Sequence, residues 1–254
     1  MDPRRWRSLQ LHLPTMSDGG VETLARVLSA MAPDPERMQR VERELRRRRR
    51  DLWHFDRQLC PQREFLAGVD EVGRGALAGP MVAAAVILPW SLRLDGLDDS
   101  KRLSSERRLS LIRTLIRHGA LWSVAVATQQ AIDRRGVGAV NKDLMRAALT
   151  GLPLRPTVTV VDSVDLSPWP GKLVSLPRAD GQSRAVAAAS VLAKEVRDLM
   201  MRRLGEEAYP GYGFERNVGY GVPEHLQALG ALGLTGLHRR SFVGGQLIGG
   251  GELA

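Results

Sequence analysis

Cysteine is almost missing from this 254-residue chain: Cys60 stands alone, which excludes an intramolecular disulfide and any zinc site built from several thiolates. A lone thiol fits a reducing compartment, and a cytoplasmic location is expected. Long apolar runs are missing too. None approaches the roughly 18–20 residues that cross a bilayer, and the N-terminus, with Asp2, Pro3 and three early arginines, lacks a secretory apolar segment. Acidic residues are outnumbered, 28 Asp and Glu against 37 Lys and Arg, for a formal charge of +9. Such a balance favours a polyanionic partner held through counterion release, although an acidic membrane surface attracts the same residues. The length suffices for one sizeable core plus an appendage, and no repeat of about 20–50 residues is visible.

The most informative stretch is FLAGVDEVGRGALAGP, residues 65–80. Apolar residues run into Asp70 and Glu71, then into Gly73-Arg74-Gly75, a cation between two residues that let a backbone come close to a ligand. Burying two like charges is costly unless a cation neutralises them. The stretch therefore reads either as a divalent metal site beside a phosphate-contacting loop or as a strand ending in a polar turn; composition alone favours the turn.

Residues 1–62 differ in texture. A short amphipathic helix is expected over residues 21–31, from Val21, Leu24, Ala25, Val27 and Leu28, stopped by Pro33 and Pro35. A second helix is expected over residues 35–55 and contains the arginine run 46–50, either a solvated face or an accessory phosphate-binding surface. Trp53 and Phe55 are expected to pack it onto the main domain, residues 63–244, which residues 245–254 follow as a tail.

From residue 65 strands and helices alternate. Strands over 65–70 and 81–88 are joined too tightly for a crossover helix and should be antiparallel. Ser104 or Ser105 caps a helix carrying Leu109, Ile112, Leu115 and Ile116 and ending near Gly119. Further strands are expected over 121–128, 157–162 and 172–177, with helices over 141–150, 183–204 and 223–232. Asp70 and Asp162 both stand where apolar strands stop, so adjacent strands would place both at one edge of a sheet. Asp180 precedes the longest helical pattern, whose Ala187, Ala188 and Ala189 let it approach the sheet closely.

Residues 65–88 resemble the opening motif of the type 2 ribonucleases H, the ribonuclease HII family. The resemblance continues in order through Asp99-Ser100-Lys101-Arg102-Leu103, Val160-Val161-Asp162, Asp180 with Ser183, Ala187-Ala188-Ala189-Ser190-Val191-Leu192-Ala193-Lys194 and His238-Arg239-Arg240-Ser241-Phe242. It implies an α/β fold with a ribonuclease H-like mixed sheet flanked by helices, here with an N-terminal helical extension and a C-terminal helical region. It also implies that Asp70, Glu71, Asp162 and Asp180 are catalytic and hold two Mg2+ or Mn2+ ions. On the residues alone, Asp95, Asp98, Asp99, Asp165 and Asp198 compete with them. By the same resemblance Gly73, Arg74 and Gly75 approach the ribose and Tyr220 stacks at the RNA-to-DNA junction; Ser183 is a further expected substrate contact, and Lys101, Arg102, Lys194 and Arg239 read either as phosphate contacts or as solvated surface charges. Tyr212 is expected to pack.

The chain departs from the family pattern at Asn217-Val218, where His-Lys is frequent, at Ser163, where Gly is usual, and at Leu234 and Gly236, which replace prolines. The implied activity is cleavage of RNA in RNA-DNA hybrids and 5′ of single ribonucleotides in duplex DNA, leaving 3′-hydroxyl and 5′-phosphate ends. A monomer with no membrane partner is expected. The rivals are a metal-dependent DNA nuclease or strand-transfer enzyme of the same fold, and a non-catalytic nucleic-acid-binding module.

Overall fold

The computed structural model describes residues 52–243 apart from Arg63, Asp95, Asp98, Asp99 and Arg102, and of Trp53 the backbone only. The helix expected over 21–31, the arginine run, the tail, and the competitors Asp95, Asp98 and Asp99 lie outside the described residues.

The chain enters through helix α1 (Trp53–Leu59), which continues beyond the expected end at Phe55. Strand β1 (Leu66–Val72) pairs antiparallel with β2 (Met81–Ile87), from Ala67 opposite Ile87 to Val72 opposite Val82. Helix α2 (Ser105–Arg117) follows, its N-cap Ser104 accepting the Arg107 N–H. Strand β3 (Leu121–Ala127) lies antiparallel to β2. Helices α3 (Gln129–Arg135) and α4 (Val137–Thr150) come next. Strands β4 (Val158–Asp162) and β5 (Lys172–Leu176) are parallel to β1 and to each other, so the order is β3-β2-β1-β4-β5. Helix α5 (Arg184–Glu207), then α6 (Phe214–Asn217) and α7 (Pro223–Leu232), complete the described elements.

Strand β2, MVAAAVI, is buried at every position because both faces of the sheet are covered. Its alternating side chains divide between two cores. Val82, Ala84 and Val86 pack with Leu111, Ile112 and Leu115 of α2 and Val191 and Val196 of α5. Ala83, Ala85 and Ile87 pack with Val140, Leu144 and Met145 of α4. Phe55 and Leu59 of α1 lie against Leu66, Val160 and Val186.

The central helix α5 crosses β1 at Gly68, where a β-carbon would stand 2.1 Å from the Ala185 carbonyl carbon and the Val186 nitrogen. Only glycine fits there. Ala187, Ala188 and Ala189 are wholly buried, as their size suggested, but the tightest approach is just N-terminal to them. Helix α3 was not expected: Gln129 and Gln130 give its start no apolar periodicity, yet the Thr128 hydroxyl caps it by accepting the Ala131 N–H and Gly136, at φ 79°, ends it. Glu71 also lies inside β1, where the pattern placed it beyond the strand. None of the described helices is long and apolar enough to cross a membrane.

Candidate active site

The parallel register of β1 and β4, which pairs Val69 with Val161, sets Asp70 and Asp162 side by side one residue further on. Asp70 is buried, and burial first, then the charges of Glu71 and Asp162, raise its pKa well above the ordinary carboxylate value; Ser190 of α5 and the Glu71 N–H, 2.8 Å from Oδ1, act against the shift. Glu71 is raised for the same first reason, with Arg74 opposing, Asp162 adding, and Asn141 of α4 hydrogen-bonded to it. Asp162 is held by its neighbours. Its Oδ1 accepts the Ser163 hydroxyl at 2.9 Å and the Ala179 N–H at 3.4 Å.

That Ala179 N–H opens the 3-10 turn Ala179–Gly181, which carries Asp180 and leads into α5. Asp180 is thereby tied, through its own turn, to the strand end bearing Asp162. Ser163, where the family pattern has Gly, sits at φ 53°, a left-handed conformation in which glycine is least strained.

Asp70, Glu71 and Asp162 act on one another through charge, but among the described residues no three His, Cys, Asp or Glu side chains are gathered tightly enough to hold a metal ion. The donor set nevertheless fits a hard divalent cation: it is all oxygen, and Asp70 and Glu71 are desolvated beside like charge.

The loop after β1 is built around two arginines. A β-carbon at Gly73 (φ 87°) would lie 2.1 Å from Arg197 Nε. Arg197, fully buried, donates to the carbonyls of Pro80 (2.8 Å), Ala78 (3.2 Å) and Val218 (2.9 Å), and its guanidinium lies 5.3 Å from the centre of the Tyr220 ring. Arg239, also fully buried, donates to the Gly79 carbonyl and, at 3.0 Å, to that of Arg74; burial first, then the charge of Arg197, lowers its pKa to about 9. Gly75 is different. Nothing lies within 4 Å of where its β-carbon would be, and its backbone beside exposed Arg74 stands open.

Several expected contacts are relocated. Ser183 is wholly buried as the N-cap of α5, accepting the Val186 N–H, so its hydroxyl is turned to the protein and not to a substrate. Arg239 cannot reach a phosphate from beneath the loop. Lys194 donates to Asp198 at 2.6 Å within a buried ionic cluster, and Asp198, which also pairs with Arg108, is thereby removed from the competing acids. Asp165 is exposed and its Oδ1 accepts the Ser167 N–H, a local turn. Lys101 is exposed and Tyr220 half-buried. Tyr212 packs as expected, stacked 5.4 Å from Phe214 with its hydroxyl donating to the Gly233 carbonyl.

The sequence reading missed Asn141 and the support given by Ser190 and Arg197. Their partners are remote in the chain, and no local pattern marks them.

A five-stranded mixed sheet with acids at the ends of its central parallel pair and a helix crossing beneath defines a ribonuclease H-like fold. The family model for ribonuclease HII matches residues 67–244. Ribonuclease HII of Synechococcus sp. (strain CC9311) is 45% identical over 183 residues, 70% of this chain and 92% of its own. That of Halalkalibacterium halodurans is 45% identical over 193 residues, 76% and 70% of the two chains. Among solved structures, ribonuclease H2 of Pyrococcus horikoshii OT3 superposes with a TM-score of 0.61 at 25% identity, covering 72% of this chain and 96% of that one. A ribonuclease HII from Archaeoglobus fulgidus, solved in complex with PCNA, gives 0.57 at 26%, covering 69% and 93%. The chain belongs to the ribonuclease HII family and is an endoribonuclease.

Proposed function

We propose that this enzyme hydrolyses the RNA strand of RNA-DNA hybrids and nicks duplex DNA on the 5′ side of an embedded ribonucleotide, leaving a 3′-hydroxyl and a 5′-phosphate. The observation that carries the proposal is the placement of Asp70, Glu71 and Asp162, buried or half-buried and mutually repelling, beside a loop whose Gly75 leaves open space that the fold does not require.

Asp70, Glu71, Asp162 and Asp180 would hold two divalent ions. Bound there, Mg2+ or Mn2+ would supply a water of lowered pKa and would stabilise the departing oxygen of an in-line displacement. The chain's own residues do the positioning. Ser163 and the Ala179 N–H orient Asp162, and Ser190 orients Asp70. The backbone of Gly73, Arg74 and Gly75 approaches the ribose, where the 2′-hydroxyl is the feature that separates RNA from DNA. Tyr220 packs against the nucleotide at the junction, and Lys101 and Arg74 face phosphates. The arginine run at residues 46–50 adds sequence-independent phosphate contacts. A monomer acting in the cytoplasm completes the reading.

The test is cleavage, with Mg2+ or Mn2+, of a DNA duplex bearing one ribonucleotide against the matching all-DNA duplex. Nicking of the first alone is expected. Equal cleavage of both would favour a DNA nuclease, and binding without cleavage a non-catalytic module.

A further inference from the structure

Two histidines that the reaction does not use are buried together behind Tyr220. His225 of α7 is wholly buried and His238 is 2% exposed. Their Nε2 atoms are 3.1 Å apart. The outer atoms fix both tautomers. Nδ1 of His238 accepts the Thr235 N–H at 2.9 Å, so that nitrogen carries no proton and the ring proton is on Nε2. His238 Nε2–H therefore donates to Nε2 of His225, whose proton is on Nδ1 and donates to the Tyr220 carbonyl at 2.9 Å. Thr235, His238, His225 and Tyr220 form one chain of hydrogen bonds in which every donor points the same way, an arrangement whose members polarise one another. Burial holds both rings neutral, lowering the pKa of His225 and bringing that of His238 to about 4. Phe214 meets the His225 ring edge-on at 5.2 Å, and Tyr212 lies 5.3 Å from His238.

Both ends of the chain are anchored where nucleic acid is expected to meet the protein. His238 forms a bridge with Ala78, flanked by Gly79 N–H to the Leu237 carbonyl and Arg239 N–H to the Leu77 carbonyl, so it is stitched to the loop that follows Gly73-Arg74-Gly75. At the other end, the segment before Tyr220 does not rest in a relaxed conformation: Val218, a β-branched residue, sits at φ 43°. Left-handed Val218 must be held from outside, and the His225 bond to the Tyr220 carbonyl is one such restraint, with the Arg197 bond to the Val218 carbonyl another.

We infer that His238 and His225 are positioning residues that set Tyr220 against the Gly73-Arg74-Gly75 loop and thereby adjust the fit to a ribonucleotide-bearing duplex. This rests on the proposed function, since Tyr220 matters only if it packs on the substrate.

The experiment is a double-mutant cycle on the full chain, with kcat and KM measured on the single-ribonucleotide duplex and folding checked by thermal melting. His225→Leu keeps bulk but removes the donor; kcat/KM should fall roughly 10- to 100-fold, the penalty of misplacing a group by about 1 Å. In a Tyr220→Ala background the same substitution should change it less than about 2-fold, because what it positioned is gone. His225→Asn, whose amide nitrogen takes the place of Nδ1, should recover most of the loss. If His225→Leu does not fold, His225→Gln replaces it, since its amide reaches towards His238 and not towards Tyr220. An equal loss in both backgrounds, or no loss in either, overturns the inference. Wild-type protein that fails to cleave the duplex overturns the proposed function and the inference with it, whereas a wild type that cleaves, with a cycle showing no coupling, overturns the inference alone.

Discussion

Helix α5 touches two groups of buried carboxylates, and they are treated in opposite ways. At its middle, Glu195 is wholly buried and accepts Arg108 Nε at 2.7 Å, the Ser105 hydroxyl at 2.7 Å and Arg202 at 3.4 Å, while Asp198 accepts Arg108 at 3.1 Å and Lys194 at 2.6 Å. Between one and two turns nearer its N-terminus, Ser190 reaches Asp70, whose charged neighbours are Glu71 and Asp162. Among the described residues no salt bridge is made by Asp70, Glu71 or Asp162, and Arg74 acts on Glu71 through its charge alone. Internal cations complete the first group, which joins α2 to α5. The second group is incomplete among the described residues, and an incomplete set of buried charges is what an enzyme keeps for a ligand of opposite sign. The loop after β1 reverses the signs, since Arg197 and Arg239 are buried and give their N–H groups to carbonyls, with no carboxylate within ion-pair distance among the described residues.

The contrast is sharpest at its two ends. Asp70→Asn should lower cleavage of the single-ribonucleotide duplex by roughly 1000-fold, the several kcal/mol of transition-state stabilisation that a correctly held cation contributes. The same variant should melt at or above the wild-type temperature in chelator, because it removes a charge that burial and like neighbours disfavour. A variant that melts far below wild type in chelator would place Asp70 with the structural group. Glu195→Ala should do the reverse. Taking from buried Arg108 one of its two carboxylate partners, with Asp198 remaining, should remove about 3 kcal/mol of stability in urea unfolding, the low end for a broken buried pair, while the shift of melting temperature produced by saturating Mn2+ stays as in wild type.

Asp56 lies between the two cases. It is 1% exposed, accepts the Ala185 N–H at 3.2 Å, and has Arg184 Nε only at 3.8 Å. Desolvation outweighs these partners and raises its pKa to about 6. With the folded value above the unfolded one, the native state binds the proton more tightly. The contribution is fully present below the ordinary carboxylate pKa and is lost as pH rises through about 6, by at most about 3 kcal/mol for a shift of about two pH units. Asp56→Asn should therefore flatten stability between about pH 4 and 6, measured as the difference between the two unfolding profiles; superimposable profiles would show Asp56 to be adequately paired. The smallest effect expected is at Ser163. Glycine there should raise stability in chelator by about 0.5–1 kcal/mol, because φ 53° is less strained without a side chain, and a lower melting temperature would show that the hydroxyl bond to Asp162 outweighs the strain.

Local chemistry made much of this protein legible in its sequence. Strands of alternating or continuous apolar residues, the Ser104 cap, the helix at residues 223–232 and the acids at strand ends all depend on neighbours a few residues away, and each is found close to where the pattern put it. The motif order also carried the family. Ser163 was visible as a departure at a position where glycine is usual, and the left-handed backbone found there is the reason glycine suits it. What the sequence could not assign was the fate of individual charges. Lys194, Arg239 and Ser183 have the chemistry of phosphate contacts, and it is burial of Arg239 and Ser183 and the pairing of Lys194 with Asp198 that turn them to the interior. Arg197 reaches a carbonyl 117 residues away and Arg239 one 160 residues away. Solvation and pairing are decided by which remote segments the fold brings together. A lysine beside Asp198 and one facing water are the same residue in sequence, and only the tertiary structure separates them, because the field that each feels comes from chain far along the sequence.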